Sequence, residues 1–262
     1  YYKILLLGDS CIDKYHFGSC ERLSQEAPVP VFKKISTHTN PGMAANVKAN
    51  LESFNIHVDF ISHGKDSIVK ERFIDKRTKQ HLLRSDSGEN KKLQPIKLEK
   101  TKTELYDAIV ISDYDKGSIT CDNISSLLEE ANLKNIPIFV DSKKTDLHFY
   151  DNCIIKINEK EDLHVEKYPK TFDLIVTLGS SGARYDNNII PAEPTEVFDI
   201  CGAGDTFFAG LIHKYLECGD LYNSIVYANL CAAITVSKIG SYYLSNDEIK
   251  EVEKRFVTKT KT

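Results

Sequence analysis

Six short apolar runs, separated by segments of helical period, leave this chain few folds to choose from. They lie at residues 4–7, 57–62, 108–112, 137–140, 153–157 and 174–178, each about the length of a strand. Most are apolar without interruption, the pattern of strands covered on both faces. Between them, 43–54 carries apolar residues at helical spacing after Pro41 and Gly42, and 123–133 does so after the cap-like Thr120 and Asp122. Strands alternating with helices predict an α/β domain, a mostly parallel central sheet with helices on both faces. The last third reads as helix at 205–217, 222–237 and 246–256. One such domain accounts for all of 1–262. Ligands of these sheets bind beyond the carboxyl ends of the strands, so strand-end residues are the first candidates for function.

Two segments break the alternation. The stretch 15–35 is punctuated by Pro28 and Pro30, with Val29, Val31 and Ile35 spaced as in a strand. The stretch 72–86 suits a strand but is too charged for the middle of a parallel sheet. Both read as edge strands of a small sheet that projects from the domain as a lid, over about 12–36 and 72–88.

Composition narrows the class of function. A formal charge of −4 argues against a nucleic-acid partner, which needs a basic surplus to meet phosphates. The seven cysteines are scattered and never spaced C-x-x-C, so neither a disulfide framework nor a zinc site is indicated. Reduced thiols suit a reducing cytoplasm. No run approaches the ~18 apolar residues of a membrane span, so no membrane partner is expected.

The run DICGAGDTF at 199–207 carries the chemistry. Gly202, Ala203 and Gly204 let backbone amides turn inward at the start of an apolar helix. There the amides and the helix dipole make a site for a phosphoryl oxygen. Asp205 follows at once and can accept the proton of an attacking hydroxyl. A carboxylate in a first helical turn also has a plain capping role, and from GAGD alone the two readings stay open. The third glycine of a dinucleotide fingerprint is absent, as is the Gly-Lys-Ser/Thr of a P-loop.

This run resembles the carboxyl-terminal signature of the ribokinase (PfkB-type) carbohydrate kinases, with Cys201 where the family usually has threonine. The resemblance spans nearly the whole chain. It implies a ribokinase-like fold and ATP-dependent phosphorylation of a sugar, with Asp205 as base and Gly202, Ala203 and Gly204 as anion hole. The run NPGMAANV at 40–47 is similar to the family's sugar-binding signature and implies that Gly42 and Asn46 meet sugar hydroxyls; Met43 stands where a second glycine is usual. Read alone, Asn46 suits a structural place in a first helical turn. Asp13, just past the first strand, matches a sugar-binding aspartate, though a turn or cap role also fits it. NEKE at 158–161 resembles the motif in which Asn158 approaches the nucleotide phosphates and Glu161 orients Mg2+-bound water. Thr177, Gly179 and Gly182, in TLGSSG at 177–182, and Asn229 match positions around ATP. A monovalent cation, K+ in this family, is implied near Asp199.

Within the family the likeness is strongest to kinase domains that act on heptose 7-phosphate. It rests on GDSCIDKY at 8–15, RLSQEAPVPV at 22–31, LLRSD at 82–86, SDYDKG at 112–117, VDSK at 140–143 and KIGS at 238–241. A substrate that already carries a phosphate needs cations at its far end, and Arg22, Arg84 and Lys116 fall in these runs. Transfer to the anomeric hydroxyl would give the 1,7-bisphosphate. The alternatives are another sugar or nucleoside kinase of the family, or a silent sugar-binding protein. The resemblance also implies a homodimer formed through the lid.

Overall fold

A computed structural model describes residues 1–63, 68–89, 92–98, 101–238, 240 and 242–260, which leaves Ile239 and Ser241 of the 238–241 run outside the described residues. In chain order the elements begin β1 (Lys3–Gly8), β2 (Ser10–Leu23), β3 (Pro30–Met43), α1 (Ala44–Ser53), β4 (His57–Ile61), β5 (Val69–Asp75) and β6 (His81–Ser87). Next come β7 (Ala108–Asp113), α2 (Cys121–Leu133), β8 (Ile138–Ser142), β9 (Cys153–Asn158) and the single-turn α3 (Glu159–Asp162). The chain ends with β10 (Phe172–Thr177), β11 (Ala183–Tyr185), β12 (Asn188–Ile190), α4 (Ala203–Cys218), α5 (Leu221–Val236) and α6 (Asn246–Thr260).

The six apolar runs become the parallel strands of an eight-stranded sheet ordered β12-β11-β10-β9-β8-β7-β1-β4. Its antiparallel edge is the short meander from β10 through β11 to β12. Strand periodicity splits β1 between two cores. Ile4 and Leu6 pack with Val47 and Leu51 of α1 and with Phe208 and Ile212 of α4, while Leu5 and Leu7 pack with Ile124, Leu127 and Leu128 of α2. Each such side chain, fully buried, contributes about 2 kcal/mol to holding the layers together. Helix α2 starts where Thr120 caps it, accepting from the Asn123 amide while Asn123 Oδ1 accepts from the Thr120 amide. No helix among the described residues is long and apolar enough to cross a membrane.

The second sheet is the lid, ordered β3-β2-β5-β6, and it corrects the sequence reading: the stretch 15–35 is not one edge strand but spans the internal β2 and the outer β3. The charged stretch 72–86 is a hairpin, β5 and β6, rather than one edge strand. Strand β5 is also internal, pairing parallel with β2 on its other side. Its charges are tolerated because they are answered in place: Lys70 pairs with Glu89 at 3.3 Å, and Arg72 pairs with Asp13 of β2. The outer strands carry exposed Ile35 and Leu83. Strand β3 also runs further than expected, through Pro41 and Gly42 to Met43, and delivers the chain straight into α1.

Candidate active site

The carboxyl ends of β1, β7, β8 and β9, the foot of the lid and the first turn of α4 converge on Asp205. Gly202 makes this possible. It caps α4 at φ 77°, a left-handed conformation that costs glycine little, and Ala203 then begins the helix. Asp205 is buried, and its Oδ2 accepts a 2.6 Å hydrogen bond from Asn46 Nδ2 in α1. The Tyr114 hydroxyl donates to Oδ1 at 3.3 Å. Burial raises the Asp205 pKa above its ordinary value, against the Asn46 hydrogen bond that lowers it. A carboxylate poised this way is a better proton acceptor than one held far down by an ion pair. Asn46 and Asp205, 159 residues apart, were expected to serve the same site, and the fold makes them partners.

Residues that the sequence did not single out surround this pair. Lys156 Nζ lies where it would be 3.3 Å from a Cβ on Gly204, so the glycine leaves room for a buried ammonium at the helix start. That ammonium bonds Asp141 Oδ2 at 2.7 Å. Lys143 bonds the other oxygen of Asp141 at 3.2 Å and Glu161 Oε1 at 2.6 Å. A seam of alternating charge therefore runs from Glu161 to the edge of the Gly202–Gly204 turn. Burial alone would raise the Asp141 pKa, but the two lysines outweigh it and hold the group below the usual carboxylate range. At the end of β1, Asp9 is wholly buried and accepts the amides of Tyr114, Lys116 and Ser118, which fixes the loop that presents Tyr114.

Of the six residues expected at the nucleotide, the structure gathers four at one cavity and places Asn158 and Glu161 at another. Thr177, Gly179, Gly182, Asn229, Ala203 and Gly204 line one cavity of about 460 Å³, apolar on its far wall through Val197, Ile200 and Val236. Asn229 is buried there and donates to the carbonyls of Ile190 and Pro191. Asn158 and Glu161 form a reciprocal cap on α3: the Glu161 amide donates to Asn158 Oδ1, and Glu161 Oε2 accepts from the Asn158 amide. With Lys143 they line a second cavity of about 340 Å³. Asp199 accepts the amides of Cys201 and Gly240, bracing the segment ahead of the Gly202 turn.

On the lid side, Asp13 is buried against Gly42. A Cβ at Gly42 would lie 2.4 Å from Asp13 Oδ2, so only glycine permits this approach. Met43, by contrast, keeps a glycine-like backbone at φ 54° and ψ −134°, a conformation that costs an L-residue about 1–3 kcal/mol. The expected cationic trio does not assemble. Arg84 is bound to Asp86 through Nε and Nη2, one edge of its guanidinium, and Lys116 pairs with Glu89 at 3.3 Å. Arg22 is exposed near the tip of β2, seven residues beyond Tyr15 and so roughly 23 Å along the strand. The strand's length carries it away. The cation that meets Asp13 is Arg72, which the sequence reading passed over because an arginine in a polar segment resembles any solvated one.

Comparison with known proteins identifies the family and the fold. A family model described as pfkB family carbohydrate kinase matches residues 43–248. The bifunctional protein HldE of Campylobacter jejuni is 32% identical, with the match covering 96% of this chain and 65% of that protein. Its counterpart in Nitratiruptor sp. gives the same identity and coverage. The chain thus spans just under two thirds of the length of these relatives. Among solved structures, phosphofructokinase-2 from Escherichia coli in complex with potassium superposes with a TM-score of 0.70 at 14% identity, over 98% of this chain and all of that one. The fold is ribokinase-like, and with the family model covering most of its length this chain belongs to the pfkB family of carbohydrate kinases, ATP-dependent sugar kinases.

Proposed function

We propose that this chain transfers the γ-phosphoryl group of ATP to the anomeric hydroxyl of D-glycero-D-manno-heptose 7-phosphate, giving the 1,7-bisphosphate. The observation that carries this reading is the position of Asp205. It directly follows Gly204, which lines a cavity of nucleotide size, and it is hydrogen-bonded to Asn46, which is expected to meet the sugar. The likeness to HldE proteins over nearly the whole chain supports the choice of sugar.

ATP occupies the cavity around Thr177, Gly179, Gly182 and Asn229, with its phosphates directed to the Gly202–Gly204 turn. The sugar lies under the lid against Asp13, Gly42 and Asn46. Asp205 removes the proton of the anomeric hydroxyl as its oxygen bonds to the γ-phosphorus. The bond from that phosphorus to the β–γ bridging oxygen breaks, and ADP leaves with the electron pair. Asn46 and Tyr114 orient the two oxygens of Asp205. Lys156 offsets the charge that gathers at the turn.

Magnesium fits the donors present, since Glu161 offers carboxylate oxygens in the cavity it shares with Asn158 and Lys143. When bound, the ion neutralises phosphate charge. Asp199 suits a monovalent cation such as K+: each of its oxygens accepts one amide and keeps a further lone pair. The exposed apolar residues of the lid, among them Leu23, Val29, Ile35 and Leu83, support a homodimer formed through the lid.

The test is turnover with ATP and heptose 7-phosphate, followed by phosphorus NMR of the product. An anomeric phosphate is expected. A new phosphate at any other carbon, or no turnover with this sugar, would overturn the assignment.

A further inference from the structure

Asp9, the residue that follows β1, is wholly buried, and its carboxylate acts in each of its contacts as an acceptor. Its Oδ2 takes the amides of Tyr114 at 3.0 Å and Lys116 at 3.1 Å. Its Oδ1 takes the amide of Ser118 at 3.3 Å together with the Ser118 hydroxyl. Three alternate amides of the loop 114–118 therefore close on one carboxylate. The residues between them have positive φ, Asp115 at 56° and Gly117 at 107°. An L side chain such as that of Asp115 rarely adopts this region, so the loop needs an outside partner to hold its shape. Amides turned inward in this way form a concavity for an anion, and here the chain supplies the anion itself.

The loop begins with one of the two hydrogen-bond donors to Asp205. The Tyr114 hydroxyl donates to Asp205 Oδ1 at 3.3 Å, and its ring packs with Cys11, Met43 and Ile68. The other donor, Asn46, is secured from a different side. Asn50 Nδ2 donates to the Asn46 carbonyl at 2.9 Å, and Asn50 Oδ1 accepts from the hydroxyl of Thr206 at 2.8 Å. Helices α1 and α4 are thus joined at two successive levels, Asn46 to Asp205 and Asn50 to Thr206. Asp9 meets α1 through its main chain, where its carbonyl accepts the Ala44 amide at 2.9 Å. Of the two donors to Asp205, the Asp9 side chain bears on Tyr114.

We propose that Asp9 is a positioning residue for phosphoryl transfer: through the loop 114–118 it sets the Tyr114 hydroxyl, which in turn aims Asp205 at the proton of the sugar hydroxyl. This rests on the kinase reading above, with Asp205 as the proton acceptor. A base is effective when a third group fixes its orientation, and a small misplacement of the reacting atoms costs rate. The chemistry of the contact explains why an acid stands here. Four donors meet two oxygens, and an asparagine would turn an N–H toward one pair of them. Asp9 does its work one step removed from Asp205, so its effect should pass through Tyr114 and vanish where Tyr114 lacks its hydroxyl.

The experiment is a double-mutant cycle. Wild type, Asp9→Asn, Asp9→Ala, Tyr114→Phe and the two double variants are compared in kcat, in KM for ATP and for heptose 7-phosphate, and in melting temperature, across pH. Tyr114→Phe should lower kcat about tenfold and leave both KM values within about threefold. Asp9→Ala should match that loss, and Asp9→Asn should cost at least about threefold, since it keeps one acceptor. Adding either Asp9 substitution to Tyr114→Phe should cost less than about twofold more. A donated hydrogen bond favours a carboxylate's charged form, so its loss raises the Asp205 pKa. The acid limb of kcat should therefore move to higher pH by the same amount in Asp9→Ala, Tyr114→Phe and their double variant. Asp141, Lys143 and Lys156, which also act on Asp205, are the same in all of them. Lost stability alone would lower the melting temperature and leave that limb in place. A folded Asp9→Ala with wild-type kcat and an unmoved acid limb overturns the proposal and leaves the kinase reading standing. Losses at Asp9 and Tyr114 that multiply in the double variant do the same. A wild type without turnover overturns both. Should Asp9→Ala not fold, Asp9→Asn decides by the same comparisons.

Discussion

Two groups of paired charges, one beside the Gly202–Gly204 turn and one on the lid, differ in how far water reaches them. At the turn, Lys156 and Asp141 are 4% and 2% exposed, and the seam through Lys143 is answered at every step. On the lid, Arg84 is 52% exposed and its partner Asp86 28%. A buried pair is unscreened, and removing one member strands the other, so such a seam is fixed in place. An exposed pair is worth little and is readily exchanged. On the proposed reading the contrast divides the work: the buried group would act on the rate of phosphoryl transfer, and the lid on which sugar is held. Arg72 and Asp13, 12% and 9% exposed, lie between the two extremes.

The contrast breaks most visibly at Asp205. Asp205→Asn should lower kcat by about 10²–10⁴ while the KM for sugar stays within about threefold, because Asn keeps the contact with Asn46 and loses only the proton acceptor. Its stability should move the other way. A carboxylate whose folded pKa is raised stabilises the fold only while protonated, and that contribution is lost as pH rises through the folded value. Asp205→Asn should therefore melt above the wild type at pH 7. The gap should close as pH falls below the ordinary carboxylate value of 3.8. Thermal melts across pH check this, and a variant that melts lower at pH 7 would contradict it.

Lys156→Gln sharpens the same comparison with a smaller effect. We expect kcat to fall about 10²-fold, as for loss of one fixed electrostatic contact to the transition state. Asp141 is left with Lys143 alone, and the fold should lose about 3 kcal/mol in chemical denaturation. An unchanged kcat would reduce Lys156 to a structural ion pair.

The smallest effect expected lies outside both regions, at the start of α6. Partial burial acts to raise the Glu248 pKa, but the Ser245 amide, the Lys238 ammonium and the Tyr242 and Ser245 hydroxyls outweigh it and bring it to about 2. A lowered carboxylate pKa gives stability that is present above its unfolded value of 4.5 and lost as pH falls toward 2. Glu248→Gln should cost about 1 kcal/mol at pH 7, a typical helix-cap loss, and leave kcat alone. The difference between variant and wild type should shrink between pH 4.5 and 2.

The parts of this account that the sequence disclosed are those with local signatures. Continuous apolar runs located the six parallel strands, because strands covered on both faces need no polar alternation. The GAGD run located Asp205, and with it the start of α4. Lys156 stayed hidden because a lysine inside CIIKI reads as a stray solvated charge until the fold brings Asp141 beneath it. Arg72 stayed hidden for the same reason, and Arg22 was grouped with Arg84 because sequence likeness does not measure how far a strand carries a side chain. The hairpin of β5 and β6 was read as one strand because its turn, near Lys79 at φ 61°, contains no glycine or proline to announce it.

The most direct measurement is the rate of ADP release by the wild-type protein with ATP and heptose 7-phosphate, set against the same heptose without its phosphate. The account predicts at least about 100-fold higher kcat/KM for the phosphorylated sugar, carried mainly by KM. Equal values for the two sugars would contradict it.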